Sequence, residues 1–278
     1  MNGSRTRLYG AAIAALGLLA AAAGSFSQPL TADLPKTVEL KDMTWVEVRT
    51  AIAKGYKTAL VPTGGIEQNG QHMVLGKHDY IVGWAANRIA LGAGQTLVAP
   101  VVSYVPEGGY WPAVTGHMRF PGTLGVSEEA FAGVLDGIAR SLKTHGFSLI
   151  CFMGDHGGSQ RVQREAALRL SKEWEREGVR AVNLDAYYDD SAQVKRLQAE
   201  GETAASIGQH ATIIDTSELM AVHPAGVDPG RIAKSGFFTE VTGSSGDPAR
   251  SSAQRGQELI AMRVDAAIAQ IKALRTSN

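Results

Sequence analysis

The strongest constraint in this sequence is a rhythm: short apolar runs alternate with amphipathic stretches of helical length. The runs 58–61, 96–102, 148–153 and 179–184 read as strands. Between them, 79–91, 127–144 and 160–177 carry apolar residues at helical spacing, and helical stretches at 44–54 and 252–274 flank the series. Thr44 and Glu47 form a capping-box pattern at the head of the first helix, and Gly55 ends it. Ser127 can cap the helix over 127–144, which closes at His145-Gly146. Strand and helix alternating in this way predict an α/β fold of three layers, α/β/α, around a largely parallel sheet. Leu149-Ile150-Cys151-Phe152-Met153 has no polar alternation, as expected of a strand covered on both faces. Function in such folds collects in the loops beyond the strand C-termini. Three segments qualify here: 62–79, 105–123 and 154–159.

Charge removes one class of function. Lys plus Arg number 27 and Asp plus Glu number 27, so the chain lacks the basic excess of a nucleic-acid binder. Cys151 is the single cysteine, so no intrachain disulfide can form, and its apolar setting reads as a small buried hydrophobe. The N-terminus has its own pattern. Arg5 and Arg7 precede the Ala/Leu-rich stretch 8–23, and Gly24, Ser25 and Ser27 follow. This is the three-part layout of a secretory signal peptide over 1–27. The stretch is shorter than the roughly 20 residues of a spanning helix. The expectation is export to the periplasm or beyond, with 28–278 as one catalytic domain and no membrane span in the mature chain.

The loops concentrate metal-ligand types. Segment 62–79 contains Glu67, His72, His78 and Asp79, and segment 154–159 contains Asp155 and His156. Of the seven histidines, His72, His78 and His156 lie in these two segments, and His210 lies in a further candidate loop. Imidazole nitrogen and carboxylate oxygen suit borderline cations such as Zn²⁺. Glu67, His78 and His156 together read as a ligand set, although two His and one carboxylate also describe non-haem iron sites. The glycines near Gly64 and Gly157 match neither the P-loop nor the dinucleotide fingerprint. Ser159 lacks the setting of a nucleophile elbow.

Four segments, in order, resemble the creatininase family. Residues 64–78 align without a gap to Gly-Ser-x-Glu-Gln-His-Gly-Pro-His-Leu-Pro-Leu-x-Thr-Asp. Phe120-Pro121-Gly122-Thr123 is similar to Phe-Pro-Gly-Thr, and Gly154-Asp155-His156-Gly157-Gly158-Ser159 to Asn-Gly-His-Gly-Gly-Asn. His210-Ala211-Thr212-Ile213-Ile214-Asp215-Thr216-Ser217 is similar to His-Ala-Gly-x-x-Glu-Thr-Ser. The resemblance implies a creatininase-like fold. It also implies a metal-dependent hydrolase of a non-peptide C–N bond, linear or cyclic, that uses a metal-activated water. It implies as well a small-molecule substrate and a homo-oligomer, the hexamer being common in the family.

The departures carry information too. Glu67 and His156 keep the family's ligand types, whereas Asn69 replaces a ligand His, His78 replaces the bridging Asp, and Asp215 replaces a Glu. A neutral imidazole has one free lone pair and cannot bridge two ions. One ion is therefore expected in place of two, held by Glu67, His78 and His156, with Asp79 as an alternative ligand. Zinc is the first expectation, manganese or iron the alternatives. Asp215, Asn69 and His210 are the expected catalytic groups, and Asp155 is expected to orient His156. His72 is read as loop structure, and Tyr104, Tyr110, Trp111 and His117 as substrate wall. Two alternatives stay open: a family member that binds a ligand without turnover, and a mononuclear non-haem iron enzyme.

Overall fold

The computed structural model describes residues 36–232 and 241–276. Its sheet has four parallel strands in the order β2-β1-β3-β4. They are β1 Thr58–Thr63, β2 Thr96–Val98, β3 Leu149–Gly154 and β4 Arg180–Asn183. β1 and β3 are central and pair from Thr58↔Leu149 to Thr63↔Gly154. Both are buried throughout, which is why their sequences show no polar alternation.

Side chains on successive strand residues point to opposite faces, and each face has its own cover. Ala59, Val61, Ile150 and Phe152 pack against α1 (Trp45–Ala53), α3 (Glu128–Thr144) and α4 (Gln160–Glu173). Leu60, Cys151 and Met153 pack against α2 (Lys77–Ala93) and α9 (Ala253–Thr276). This is the expected three-layer α/β/α arrangement. Thr44 and Glu47 form the capping box of α1, and Ser127 Oγ accepts from Ala130 N–H at the start of α3. The leader assigned to 1–27 lies outside the described residues. Among the described residues, no helix is long and apolar enough to cross a membrane.

The structure differs from the sequence pattern in places that matter. β2 stops at Val98 instead of running to 102. Pro100 has no N–H to give a ladder, and the chain rejoins β1 only at the Thr63↔Val102 bridge. The helix expected from residue 79 starts at Lys77, so Lys77 and His78 sit in the first turn of α2. The helix expected to reach 177 ends at Glu173 and continues as a 3₁₀ turn, where Gly178 takes φ 67°. Residues 185–222, for which the pattern gives no element, form α5 Asp185–Tyr188, α6 Ser191–Ala199, α7 Ala204–Ile207 and α8 Ile213–Val222.

Helix α8 lies against α9 at very short range. A Cβ added at Gly256 would sit 1.8 Å from the Ser217 carbonyl oxygen, whereas one added at Gly133 on α3 would meet nothing within 4 Å. Gly256→Ala is therefore expected to destabilise the fold by about 1–3 kcal/mol through overpacking. Gly133→Ala, at an exposed position of α3, should stabilise it by about 0.5–1 kcal/mol. Chemical denaturation of the two variants measures the contrast, and equal effects would contradict this helix contact.

Candidate metal centre

β1 and β3 are adjacent, but β1 connects onward to β2 on its other side. The C-terminal ends of β1 and β3 therefore face the crevice at which α/β sheets place ligands. Thr63 and Gly154 are paired at those ends. The chain leaving Thr63 delivers Glu67 and the chain leaving Gly154 delivers His156, so strand register alone brings two sequence-remote residues together. A cavity of about 870 Å³ opens there, lined by Glu67, Lys77, His78, Glu107, His117, Asp155, His156, His210 and Asp215 among others.

Glu67 is the hub, with its side chain 1% exposed. Its Oε1 lies 2.7 Å from His78 Nε2 and 3.8 Å from His210 Nδ1. Its Oε2 lies 2.9 Å from His156 Nε2 and 3.2 Å from His117 Nε2. Two overlapping groups, Glu67/His78/His156 and Glu67/His117/His210, each bring their ligand atoms within 4.8 Å of one another. Burial alone would raise the Glu67 carboxyl, but the imidazoles of His78 and His156 hold it well below the usual carboxylate range.

Of the expected ligands, Glu67, His78 and His156 are brought together. Asp79 is not: its Oδ1 accepts the Gly65 N–H at 3.1 Å, tying the loop down beside the cluster. Asn69 also works on the backbone, its amide nitrogen donating to Glu67 O at 2.9 Å and to Val74 O and Leu75 O at 3.3 Å. His72 turns away to Thr216 Oγ1 at 2.9 Å, as the loop-structure reading had it. Asp215 accepts from Lys77 Nζ at 3.1 Å and from Ala211 N–H at 2.7 Å. Burial would raise its carboxyl, but Lys77 keeps it below the usual range.

Asp155 requires a correction. It does not orient His156. Its Oδ2 meets His78 Nδ1 at 2.6 Å, while its Oδ1 accepts from Tyr187 at 3.0 Å and pairs with Arg263 at 2.8 Å. A carboxylate on Nδ1 fixes the ring so that Nε2 faces the cluster. The side chain of His156 instead receives the Gly158 N–H on Nδ1 at 3.1 Å. Burial lowers this imidazole, yet the Glu107 and Glu67 carboxylates outweigh burial and lift it to about 10. The Gly158 N–H opposes a second ring proton, so what the two carboxylates favour is positive charge beside Nε2, which a metal ion also provides.

Two residues at the site lay outside the expected ligand and catalytic sets. His117, placed in the substrate wall by sequence, is against Glu67. Glu107 is buried, and its Oε2 lies 3.0 Å from His156 Nε2. That nitrogen is directed at Glu67, and neither Glu107 oxygen accepts a hydrogen bond. Both residues stand at the neck of the excursion 108–116, closed by His117 N–H on Glu107 O at 3.0 Å. The signal for Glu107 was its place in a loop following a strand of the sheet. Tyr110 and Trp111, on the excursion itself, are exposed.

The donor set fits a divalent cation. Glu67, Glu107, Asp155 and Asp215 are acids, and Lys77 and Arg263 are the fixed cations joined to them. Carboxylates therefore outnumber the fixed cations at the centre. Burial raises the Glu107 carboxyl and pushes that of Glu218, the second partner of Arg263, up to about 7. His117 is lowered by burial, and His210 is lowered by burial and by Lys77 to about 4, so both are neutral ligand-type groups at neutral pH.

A family model described as creatininase (creatinine amidohydrolase) matches residues 41–271. The chain is 27% identical over 206 residues to creatinine amidohydrolase of Pseudomonas putida, covering 72% of this chain and 77% of that protein. It is 26% identical over 190 residues to 3-dehydro-scyllo-inosose hydrolase of Thermotoga maritima, covering 68% of this chain and 58% of that one. A crystal structure of creatinine amidohydrolase superposes with TM-score 0.71 at 24% identity, over 85% of this chain and 97% of the other. A manganese form of creatininase and a variant of the Zn–Zn type superpose at TM-scores 0.72 and 0.71, each at 23% identity and over 86% of this chain and 98% of the other.

Asp155→Asn should weaken Zn²⁺ binding about 10- to 100-fold by loosening His78, with the fold retained by circular dichroism. Competition against a chromophoric chelator measures this, and unchanged affinity would contradict the role given to Asp155.

Proposed function

The chain belongs to the creatininase family and is a metal-dependent amidohydrolase; from that premise we propose that Glu67, His78 and His156 hold one divalent ion, zinc in the first instance, with Glu107 placed to complete the set. The observation that carries this reading is the buried Glu67 carboxylate with four imidazole nitrogens within 3.8 Å of its two oxygens. The surplus of carboxylates over the fixed cations Lys77 and Arg263 supports a bound cation. His78, with Nδ1 committed to Asp155, has only Nε2 to offer and cannot bridge a pair. When bound, a divalent ion supplies a Lewis acid for a carbonyl oxygen and lowers the pKa of water from about 15.7 towards about 7.

The chain's own groups do the rest. Arg263 and Tyr187 hold Asp155, and Asp155 holds His78. His210 Nε2 lies 3.0 Å from the Gln68 carbonyl oxygen and 2.9 Å from the Gln68 side-chain amide nitrogen, so Gln68 holds that edge of the ring. Its Nδ1 is turned to the cluster at 3.8 Å from Glu67 Oε1. A neutral imidazole in this position can take a proton from the attacking water and pass it to the leaving nitrogen. Asp215, already bound to Lys77 and to the Ala211 N–H, is assigned to holding charge in place, and Asn69 to holding the loop.

The substrate is proposed to be a small non-peptide amide, linear or cyclic, of a size the cavity of about 870 Å³ admits. Export directed by 1–27 and assembly into a homo-oligomer are proposed from the sequence and the family resemblance.

Dialysis against a chelator should abolish hydrolysis of an amide from a panel of linear and cyclic candidates, and added Zn²⁺ or Mn²⁺ should restore it. Turnover that survives chelation would contradict the proposal. Turnover that requires oxygen would favour the non-haem iron reading. A bound ion with no turnover across the panel would favour a binding protein.

A further inference from the structure

Lys77 is the one part of this cluster that a metal site does not ask for. It stands in the first turn of α2, directly before His78, and its side chain is 1% exposed. Its Nζ is 3.1 Å from Asp215 Oδ1 and 3.9 Å from Glu67 Oε1. An ammonium so far from water is tolerated only where opposite charge surrounds it. Here that charge comes first from Asp215, then from Glu67 and Asp155.

We propose that the Lys77 ammonium is a fixed cation standing between Glu67 and Asp215, where a second divalent ion would otherwise bind, and that it limits the centre to one ion. The inference rests on the reading of Glu67 and His156 as ligands of that one ion. Three observations carry it. Asp215 is engaged at both oxygens: Lys77 donates to Oδ1 and the Ala211 N–H to Oδ2. Lys77 also bears on the Glu67 oxygen that His210 Nδ1 approaches at 3.8 Å, so it repels an ion entering the Glu67/His117/His210 group. Finally, Lys77 is one of only two fixed cations set against these carboxylates among the described residues lining the cavity, apart from the exposed-rim Arg119, so its loss would leave Glu67 and Asp215 without their shared cation. Lys77 is thus a specificity-determining residue for metal count, acting through carboxylates rather than on substrate.

The test is ion stoichiometry. Protein stripped of metal, saturated with Zn²⁺ and passed through gel filtration is assayed by elemental analysis. The wild type is expected to carry one ion per chain. Lys77→Met, which keeps the length of the side chain and removes its charge, should carry two, and Lys77→Arg should stay at one. If Lys77→Met does not fold, Lys77→Gln, which can still donate to Asp215, takes its place. A folded neutral variant that stays at one ion overturns the inference, as does a wild type that carries two. A wild type that carries none removes the metal reading itself, an outcome distinct from both.

Discussion

A carboxylate buried where water cannot reach it is costly unless neighbours supply hydrogen bonds and opposite charge. Glu67 is that carboxylate, and the rest of the centre answers it. Four imidazoles point nitrogen at its two oxygens, and an ammonium stands beyond one of them. Those donors come from the head of α2, the neck of the excursion 108–116, the end of β3 and the segment before α8. The parallel pairing of β1 with β3, from Thr58↔Leu149 to Thr63↔Gly154, sets the frame in which they meet. A slip of the two strands would separate Glu67 from His156 before any side chain moved.

Behind the hub lies a second buried network that links the outer layers to the chemistry. Arg263 on α9 pairs with Asp155 and with Glu218 of α8, each at 2.8 Å, and donates to the Tyr187 carbonyl at 2.9 Å. Asp155 then fixes His78. The helix α9 therefore helps to aim an imidazole that belongs to α2, although the two residues are far apart in sequence. Networks of this kind hold their geometry because each member leaves a buried charge exposed if its partner moves. The close contact at Gly256 keeps α9 near enough to α8 for Arg263 to span both partners.

The layers, the parallel sheet and the meeting of Glu67, His78 and His156 were legible in the sequence. Each left a local mark: an apolar run without alternation, a cap, or an imidazole in a loop after a strand. What could not be read depended on direction and distance. Asp155 is next to His156 in sequence, yet it serves His78, because adjacent residues after a strand point to opposite sides. His72 and His78 share one loop, but only His78 faces inward. Glu107 and His117 are separated by an excursion that returns the chain to its own starting point, which no spacing rule reveals. Nothing in the sequence marked Lys77, because burial of an ammonium becomes visible only once Asp215 and Glu67 are placed beside it. Helix α8 went unread because its residues carry too little apolar periodicity to stand out.

Diffraction from a metal-soaked crystal, recorded on either side of the zinc absorption edge, tests the account most directly. An anomalous peak is expected at the paired ends of β1 and β3, about 2.0–2.2 Å from a Glu67 oxygen and from His156 Nε2. A peak elsewhere, or a saturated crystal with no peak between those two residues, would contradict it.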